Sequence, residues 1–193
     1  MNNKVAIVTG GSNGIGKSTA LELAKRGTEV ILTYNSDKKG AGSVVQDIKQ
    51  QSTVHAVALQ LDLSQKSSFK DFAQLAKNAL GELWQRKTFD YLVNNGGIGG
   101  GMMFTEVTED YFNQIFDTNF KGPYFLTQEL VTFMEDGGAI VNNSSTSSRI
   151  APPGYSAYGP SKAALSSWTR YLAKELASRQ IPDSQQYRKR SLR

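Results

Sequence analysis

Five short apolar runs, KVAIVTG, TEVILTY, VHAVALQLDL, FDYLVNN and GAIVNNSS, recur along this 193-residue chain, with helix-patterned segments between them. A run of this length that is apolar throughout, and not alternating, fits a strand buried on both faces of a parallel sheet. Parallel neighbours need a crossover between them, and alternating strands and helices supply one each time. The chain therefore reads as one α/β domain, a doubly wound parallel sheet with helices on both faces. Its length and 39% hydrophobic content suit one core.

The helical segments carry their own signals. Ile15, Ala20, Leu23 and Ala24 fall near helical spacing, and Gly27 is placed to end that helix in the left-handed conformation. A polar helix is expected around Val44–Gln51. Ser64 is a candidate N-cap for a helix carrying Phe69, Phe72, Leu75 and Ala76. Thr108 is a candidate cap for a long helix with Phe112, Ile115 and Phe116 that must kink or break near Pro123. A last helix is expected from about Tyr158 to Ser178. In an open sheet of this kind ligands bind beyond the carboxyl ends of the strands, so TGG, LDL, NNGG and NSS should gather along one edge.

Composition removes several function classes. Cysteine is absent, which excludes disulfides and thiolate metal sites and agrees with a reducing, cytoplasmic location. His55 is the single histidine, so a Ser-His hydrolase or a multi-histidine metal site would have to be built around it; it is read as structural or exposed, and no metal site is expected. No apolar run reaches the length of a membrane span, and MNNKVAIV lacks the features of a secretion signal. Of the net charge of +5, +3 lies between Pro182 and Arg193, on Arg188, Lys189, Arg190 and Arg193 against Asp183. That leaves a mildly basic body without the interleaved aromatics of a single-strand binder, so no nucleic-acid partner is expected.

The stretch TGGSNGIGKST, residues 9–19, fits two phosphate-binding patterns. From Gly11 to Ser18 it is G-x-x-x-x-G-K-[ST], the loop of nucleoside triphosphatases, with Lys17 for the phosphates and Asp62 as a candidate for Mg²⁺. From Thr9 it is TGxxxGIG, a variant dinucleotide-binding turn. Both set backbone N–H groups against phosphate oxygens at a helix N-terminus, so the loop alone does not separate them.

Further along, Tyr158 and Lys162 stand four apart at a helix start, and Ser145 precedes the tyrosine by thirteen residues. Residues at i and i+4 share a helical face, so the Lys162 ammonium can stand near the Tyr158 hydroxyl. Free tyrosine has a pKa of about 10, and a nearby positive charge is one way to bring such a group toward neutral pH. Tyr155 is the rival tyrosine, but four residues beyond it stands Gly159; Ser144 is the rival serine, and the spacing selects Ser145.

With TGxxxGIG, Asp62, NNGG, Asn119 and this serine–tyrosine–lysine set in order over residues 4–181, the chain resembles the classical short-chain dehydrogenase/reductase family, including 3-oxoacyl-carrier-protein reductases and sugar or polyol dehydrogenases. The resemblance implies an NAD(P)-dependent oxidoreductase passing hydride between nicotinamide and a carbonyl or secondary alcohol. Tyr158 would exchange the proton, Ser145 would hold the substrate oxygen, Lys162 would also grip the nicotinamide ribose, and Asn119 would complete a water-mediated relay. Gly10, Ser12, Asn13, Gly14, Ile15 and Gly16 would form the phosphate turn, Asp62 and Leu63 would border the adenine, and Asn94 would meet the adenosine ribose. Gly96 stands where the family usually has alanine, a mild loss of backbone restraint. Homotetramers are common in the family. The triphosphate match, with Lys17 facing solvent, is taken as coincidence.

An Asp or Glu ending the second strand would mark NAD. Here that place reads Tyr34, Asn35, Ser36, with Lys38 and Lys39 nearby, so NADP(H) is favoured over NAD(H), while Asp37 keeps the choice open.

After residue 181 the family would continue with a sixth strand, a substrate-covering segment and a seventh strand. Residues 182–193, PDSQQYRKRSLR, are polar and basic and are expected to supply neither strand. With one choice of codons for Ser184–Arg188, reading one base later gives Val-Asn-Ser-Ile, close to the family's next motif. This points to a frameshifted, C-terminally incomplete domain, 1–181, and to an alternative function as an impaired fragment that at most binds dinucleotide.

Overall fold

The computed structural model describes residues 4–182 in full and the backbone of 183–188. Strands β1 (Val5–Val8), β2 (Glu29–Tyr34), β3 (Ala56–Gln60), β4 (Phe89–Asn94), β5 (Met134–Ser145) and β6 (Asp183–Arg188) form one sheet in the order β3-β2-β1-β4-β5-β6. Every pairing is parallel. The helices are α1 (Gly14–Lys25), α2 (Lys38–Gln51), α3 (Phe69–Trp84), α4 (Glu109–Phe116), α5 (Gly122–Leu130) and α6 (Tyr158–Glu175). Strand order runs outward from β1 to β3, then returns through α3 to place β4 on the other side of β1. The reversal leaves a crevice between the carboxyl ends of β1 and β4, where a doubly wound sheet takes its ligands.

Strand alternation sorts the core into two layers. Ala6, Val8, Val30 and Leu32 face α1 and α2, through Ala20, Ala24, Ala41, Val44 and Ile48. Val5, Ile7, Ile31, Leu92 and Ile140 face α3, α5 and α6, through Phe69, Phe72, Leu80, Leu126, Leu130 and Leu172. At the opposite edge from the crevice, Asp90 is fully buried at the start of β4. It accepts hydrogen bonds from Lys4 Nζ at 2.7 Å, Arg86 Nη1 at 2.7 Å and the Val5 N–H at 2.8 Å, closing the N-terminal ends of β1 and β4.

Most element expectations hold. Gly27 takes φ +81°, and Thr108 caps α4 by accepting from the Tyr111 N–H. The expected break near Pro123 is a π-helical turn over Asp117–Lys121 that runs directly into α5, with Pro123 in the first turn of α5.

Three expectations are corrected. Helix α2 starts at Lys38, six residues earlier than read, because Asp37 caps it by accepting from the Gly40 N–H at 2.8 Å. Ser64 does not cap a helix: its N–H and hydroxyl both donate to Asp62 Oδ1, and a 3₁₀ turn over Lys66–Ser68 leads into α3. The polar tail does add a strand, since residues 183–188 pair along β5. Ladder pairing uses main-chain groups that any non-proline residue carries, and the segment is brought into place by buried Ile181 and by the Pro182 carbonyl, which accepts from the Ile140 N–H. Lys189, Arg190 and Arg193 of the basic cluster lie outside the described residues. Among the described residues no helix is long and apolar enough to cross a membrane, and no group of three or more metal-ligating side chains occurs.

Candidate active site

The crevice at the strand ends opens into a cleft of about 520 Å³. Its first wall is the turn between β1 and α1. Gly10 sits at φ +64°, a conformation that favours glycine, and a Cβ there would stand 2.8 Å from Gly96 Cα. Thr33 fixes the turn from the neighbouring strand: its Oγ1 accepts from the Gly10 N–H and its carbonyl from the Gly11 N–H. Helix α1 then begins with no acidic residue in its first turn and no side-chain cap from Asn13. Its leading N–H groups, which have no partner within the helix, and the positive end of its dipole are thus available to an anion. Ser12, Asn13, Gly14 and Ile15 line the cleft here. Gly16 does not. It is buried beneath the turn, where a Cβ would come within 2.1 Å of the Gly10 carbonyl oxygen, so its role is close packing of the helix start.

Lys17, the residue a triphosphate loop needs at the phosphates, leaves the cleft altogether. Its Nζ pairs with Asp47 Oδ2 of α2 at 2.9 Å, so it is neither a phosphate ligand nor the simple solvent-facing lysine expected. Asp62 lines the cleft, but its Oδ1 receives both donors of Ser64. The triphosphate reading therefore has no support in the structure.

The second wall lies beyond β2 and β3. Tyr34, Asn35, Ser36 and Asp37 line it on one side and Asp62, Leu63 and Ser64 on the other. Gln60 links the two loops by donating to the Asn35 carbonyl.

The third wall follows β4, and here one expectation changes. Asn94, expected at the adenosine ribose, is buried on the α5–α6 side of the sheet, where its Nδ2 donates to Thr127 Oγ1 and Asn142 Oδ1. It shares the inward side of β4 with Leu92, two residues before it. Asn95 lines the cleft instead. Its Nδ2 donates to the carbonyls of Thr9 and Gly10, while the N–H groups of Asn95 and Gly96 donate to Thr9 Oγ1.

Asn119, fully buried in the π turn, accepts from the Ile98 N–H and donates to the Ile98 carbonyl, both at 2.9 Å. A π turn releases a side chain from the regular helical face, and here the Asn119 amide uses one N–H and its oxygen to hold the glycine-rich segment after Asn95. A Cβ at Gly97 would lie 2.6 Å from Asn119 Oδ1 and 3.4 Å from Lys162 Nζ, so both side chains close on this one glycine.

The last wall joins the end of β5 to the start of α6. Tyr158 is the first residue of α6, 6% exposed and packed edge-on against Tyr155, and both it and Lys162 reach the cleft. Lys162 Nζ donates to the Asn143 carbonyl at 3.0 Å. Ser144 lines the cleft, with its hydroxyl bonded to the Lys162 carbonyl and Ser166 Oγ. Ser145 is buried at the strand end, and its Oγ accepts from the Ser147 N–H; it stands behind the cleft lining and not in it.

Of the residues expected at the site, the turn, the Tyr34–Ser36 stretch, Asp62, Leu63, Gly96, Tyr158 and Lys162 share the cleft, whereas Gly16, Asn94, Asn119 and Ser145 lie behind it. The sequence did not single out Asn95 or Asn143, each the second of an Asn-Asn pair; strand alternation, which gives adjacent residues opposite faces, is the signal that could have separated each pair. His55 is exposed, with Glu29 its nearest carboxylate. The donor set suits a dinucleotide: an open helix start at one side, a polar shelf at the β2 and β3 ends, and a tyrosine and lysine beyond the glycine-rich segment.

Comparisons with known proteins agree with this geometry. The family model described as short chain dehydrogenase matches residues 4–182. An uncharacterized oxidoreductase of Methylorubrum extorquens is 38% identical over 181 residues, covering 94% of this chain and 70% of that protein. The hydroxynaphthalene reductase-like protein Arp2 of Metarhizium brunneum is 36% identical over 92% of this chain and 64% of its own length. This chain thus spans about two thirds of the curated relatives it matches. Among solved structures, the promiscuous reductase LugOII, which catalyses keto-reduction at C1 in lugdunomycin biosynthesis, superposes with a TM-score of 0.92 at 33% identity, covering 97% of this chain and 83% of that one. The angucycline C-6 ketoreductase LanV with bound NADP gives a TM-score of 0.91 at 31% identity, covering 94% and 70%. With its parallel sheet, its glycine turn and a family match over nearly its whole length, the chain belongs to the short-chain dehydrogenase family of oxidoreductases.

Proposed function

We propose that this protein is an NADP(H)-dependent reductase of a small-molecule ketone, or a dehydrogenase of the matching secondary alcohol. The observation that carries the reading is the continuity of one cleft from the glycine turn to Tyr158 and Lys162. When bound, the nicotinamide supplies or accepts the hydride. Tyr158 gives a proton to the substrate oxygen in reduction and takes it back in oxidation. Ser145, whose Oγ lies behind the cleft lining, would have to turn from the Ser147 N–H to orient that oxygen. Lys162 supports the tyrosine and holds the ribose, and Asn119, through Ile98, fixes the segment facing both, leaving its backbone for any water relay.

The preference for NADP(H) rests on the end of β2. Asp37, the one carboxylate there, is turned back to cap α2 on the Gly40 N–H, while Asn35 and Ser36 are neutral and Lys38 and Lys39 are exposed nearby. A 2′-phosphate meets no dedicated acidic partner at this shelf. LanV, with bound NADP, is consistent with the choice. The segments that run on from the cleft-lining Gly99 and lead into Tyr158 carry exposed Met103, Phe104 and Ile150, which favours an apolar ketone, and the names of Arp2 and LanV make fused aromatic ketones the first substrates to test.

Thermal unfolding with excess NADPH, NADH or ATP-Mg²⁺ tests the reading directly. A ligand at a hundred times its dissociation constant stabilises by about 2.7 kcal/mol. Stabilisation by NADPH, followed by turnover of an aromatic ketone that Tyr158→Phe abolishes while cofactor affinity is retained, is the expected result. Near-normal turnover by Tyr158→Phe removes that residue from its role. Cofactor binding without turnover favours the impaired-fragment alternative.

A further inference from the structure

The backbone ladder between β4 and β5 ends at the pair Asn94–Asn142. The next two residues, Asn95 and Asn143, face each other where the strands have begun to part around the cleft, and a side-chain bond spans the gap. Asn143 Nδ2 donates to Asn95 Oδ1 at 3.0 Å. Both ends of this bond are anchored. Asn95 spends its own Nδ2 on the carbonyls of Thr9, at 2.9 Å, and Gly10, at 3.1 Å. The main-chain carbonyl of Asn143 accepts from Lys162 Nζ at 3.0 Å.

We infer that Asn143 is a positioning residue, a strut that ties Lys162 to the phosphate turn so that the two ends of the dinucleotide cleft move as one. The inference rests on the reading of that cleft as a dinucleotide site. Its chemistry is specific to a carboxamide. Asn95 Oδ1 requires a donor, because both N–H bonds of the Asn95 amide are directed at carbonyls, which fixes which end of the amide faces Asn143. Asn143 is 8% exposed, so water does not readily replace a lost bond there. A valine at 143 keeps the β preference and the main-chain carbonyl that Lys162 uses, but cannot donate. An aspartate is nearly isosteric but places acceptor against acceptor. The turn, in contrast, depends on the strut: Gly10 is in the left-handed region, and its carbonyl and that of Thr9 are held in direction by Asn95 alone among the side-chain donors described.

The test compares the full chain with Asn143→Val and Asn143→Asp by amide hydrogen exchange in the absence of cofactor, by NADPH titration and by urea unfolding. The strut predicts exchange at the Gly10, Gly11 and Gly96 amides at least tenfold faster in both variants, with the Val5 amide at the far edge of the sheet unchanged. It also predicts NADPH affinity about tenfold weaker in Asn143→Val, an unfolding midpoint lowered by no more than the loss of one hydrogen bond, and no further weakening when Asn143→Val is added to Asn95→Ala. Unaltered exchange at the three turn amides in either folded variant, or additive effects of Asn143→Val and Asn95→Ala, overturns the strut. An unmodified chain that binds no NADPH overturns the cofactor reading instead, and the exchange comparison distinguishes the two failures.

Discussion

Replacing Asp90 tests the account of how the sheet is held at the edge remote from the cleft. The carboxylate is fully buried, and three donors converge on it: Arg86, whose side chain is 12% exposed, Lys4, which is 56% exposed, and the Val5 N–H. Asp90→Ala leaves the Val5 N–H without an acceptor, at a cost of about 1–3 kcal/mol, and takes the buried carboxylate partner from the mostly buried Arg86 guanidinium. Removing one partner of a buried ion pair costs about 3–5 kcal/mol in all. Lys4 can return to water and adds little. For a domain of this size about 3–5 kcal/mol lowers Tm by roughly 6–20 °C.

Asp90→Asn, which keeps an acceptor for Val5, should lose about half as much. Urea unfolding followed by tryptophan fluorescence measures both. A loss below about 1 kcal/mol for Asp90→Ala refutes the argument that the charge is desolvated and paired. The acid limb offers an independent check. Burial alone would raise the Asp90 carboxyl, but hydrogen bonds from Arg86, Lys4 and the Val5 N–H outweigh it and hold the group below its ordinary value of 3.8. The unfolded chain therefore binds the proton more readily, and stability rises with pH through this window. The contribution is complete above the unfolded value and is lost as pH falls through the lower folded one, below about pH 4. Asp90→Asn should flatten that part of the stability curve.

Other substitutions probe the cleft. Gly16→Ala places a Cβ 2.1 Å from the Gly10 carbonyl oxygen, backbone that cannot step aside, and should cost at least about 1–3 kcal/mol and abolish NADPH stabilisation in thermal unfolding. Gly96→Ala meets Leu63 Cδ1 at 2.6 Å, the movable end of a side chain, and its urea midpoint should show a change of no more than about 1 kcal/mol. Lys17→Ala removes a part-exposed ion pair with Asp47 and should cost under about 1 kcal/mol while leaving NADPH affinity within about twofold; a large loss of nucleotide binding in a titration would restore the triphosphate reading.

The architecture was legible because it follows from pattern. Continuous apolar runs such as VAIV and EVILTY can satisfy both faces only inside a parallel sheet, and the single left-handed glycine after α1 and the Thr108 cap are local signals with local causes. Proximity was legible in part. Helical spacing brings Tyr158 and Lys162 together, but nothing in residue type tells Asn94 from Asn95, because their difference is which side of β4 each faces. Parity with Leu92, a core residue, sends Asn94 inward, and the same parity sends Asn142 and Ser144 toward α6 with Ile140. Strand β6 escaped because a polar sequence gives no apolar pattern to read, although its backbone can pair as well as any other. The turn of Asp37 toward Gly40 was hidden for a related reason, since an aspartate at a strand end can face a ligand or a helix start equally well.

The π turn at Asp117–Lys121 has a consequence for how this chain tolerates length changes. Each residue advances an α-helix by about 100°, so α4 and α5 keep their present phase only while that wide turn stays between them. Upstream, Ile115 is the buried contact; downstream, Leu126 and Leu130 lock into the layer beneath the sheet. Loss of one residue from the turn would rewind it to a regular helix and rotate one side against the other. Either the two leucines would leave their layer, or Asn119 would swing off Ile98. Substitution along the segment is a question of side-chain fit, but a one-residue deletion sets the domain's core against its cleft.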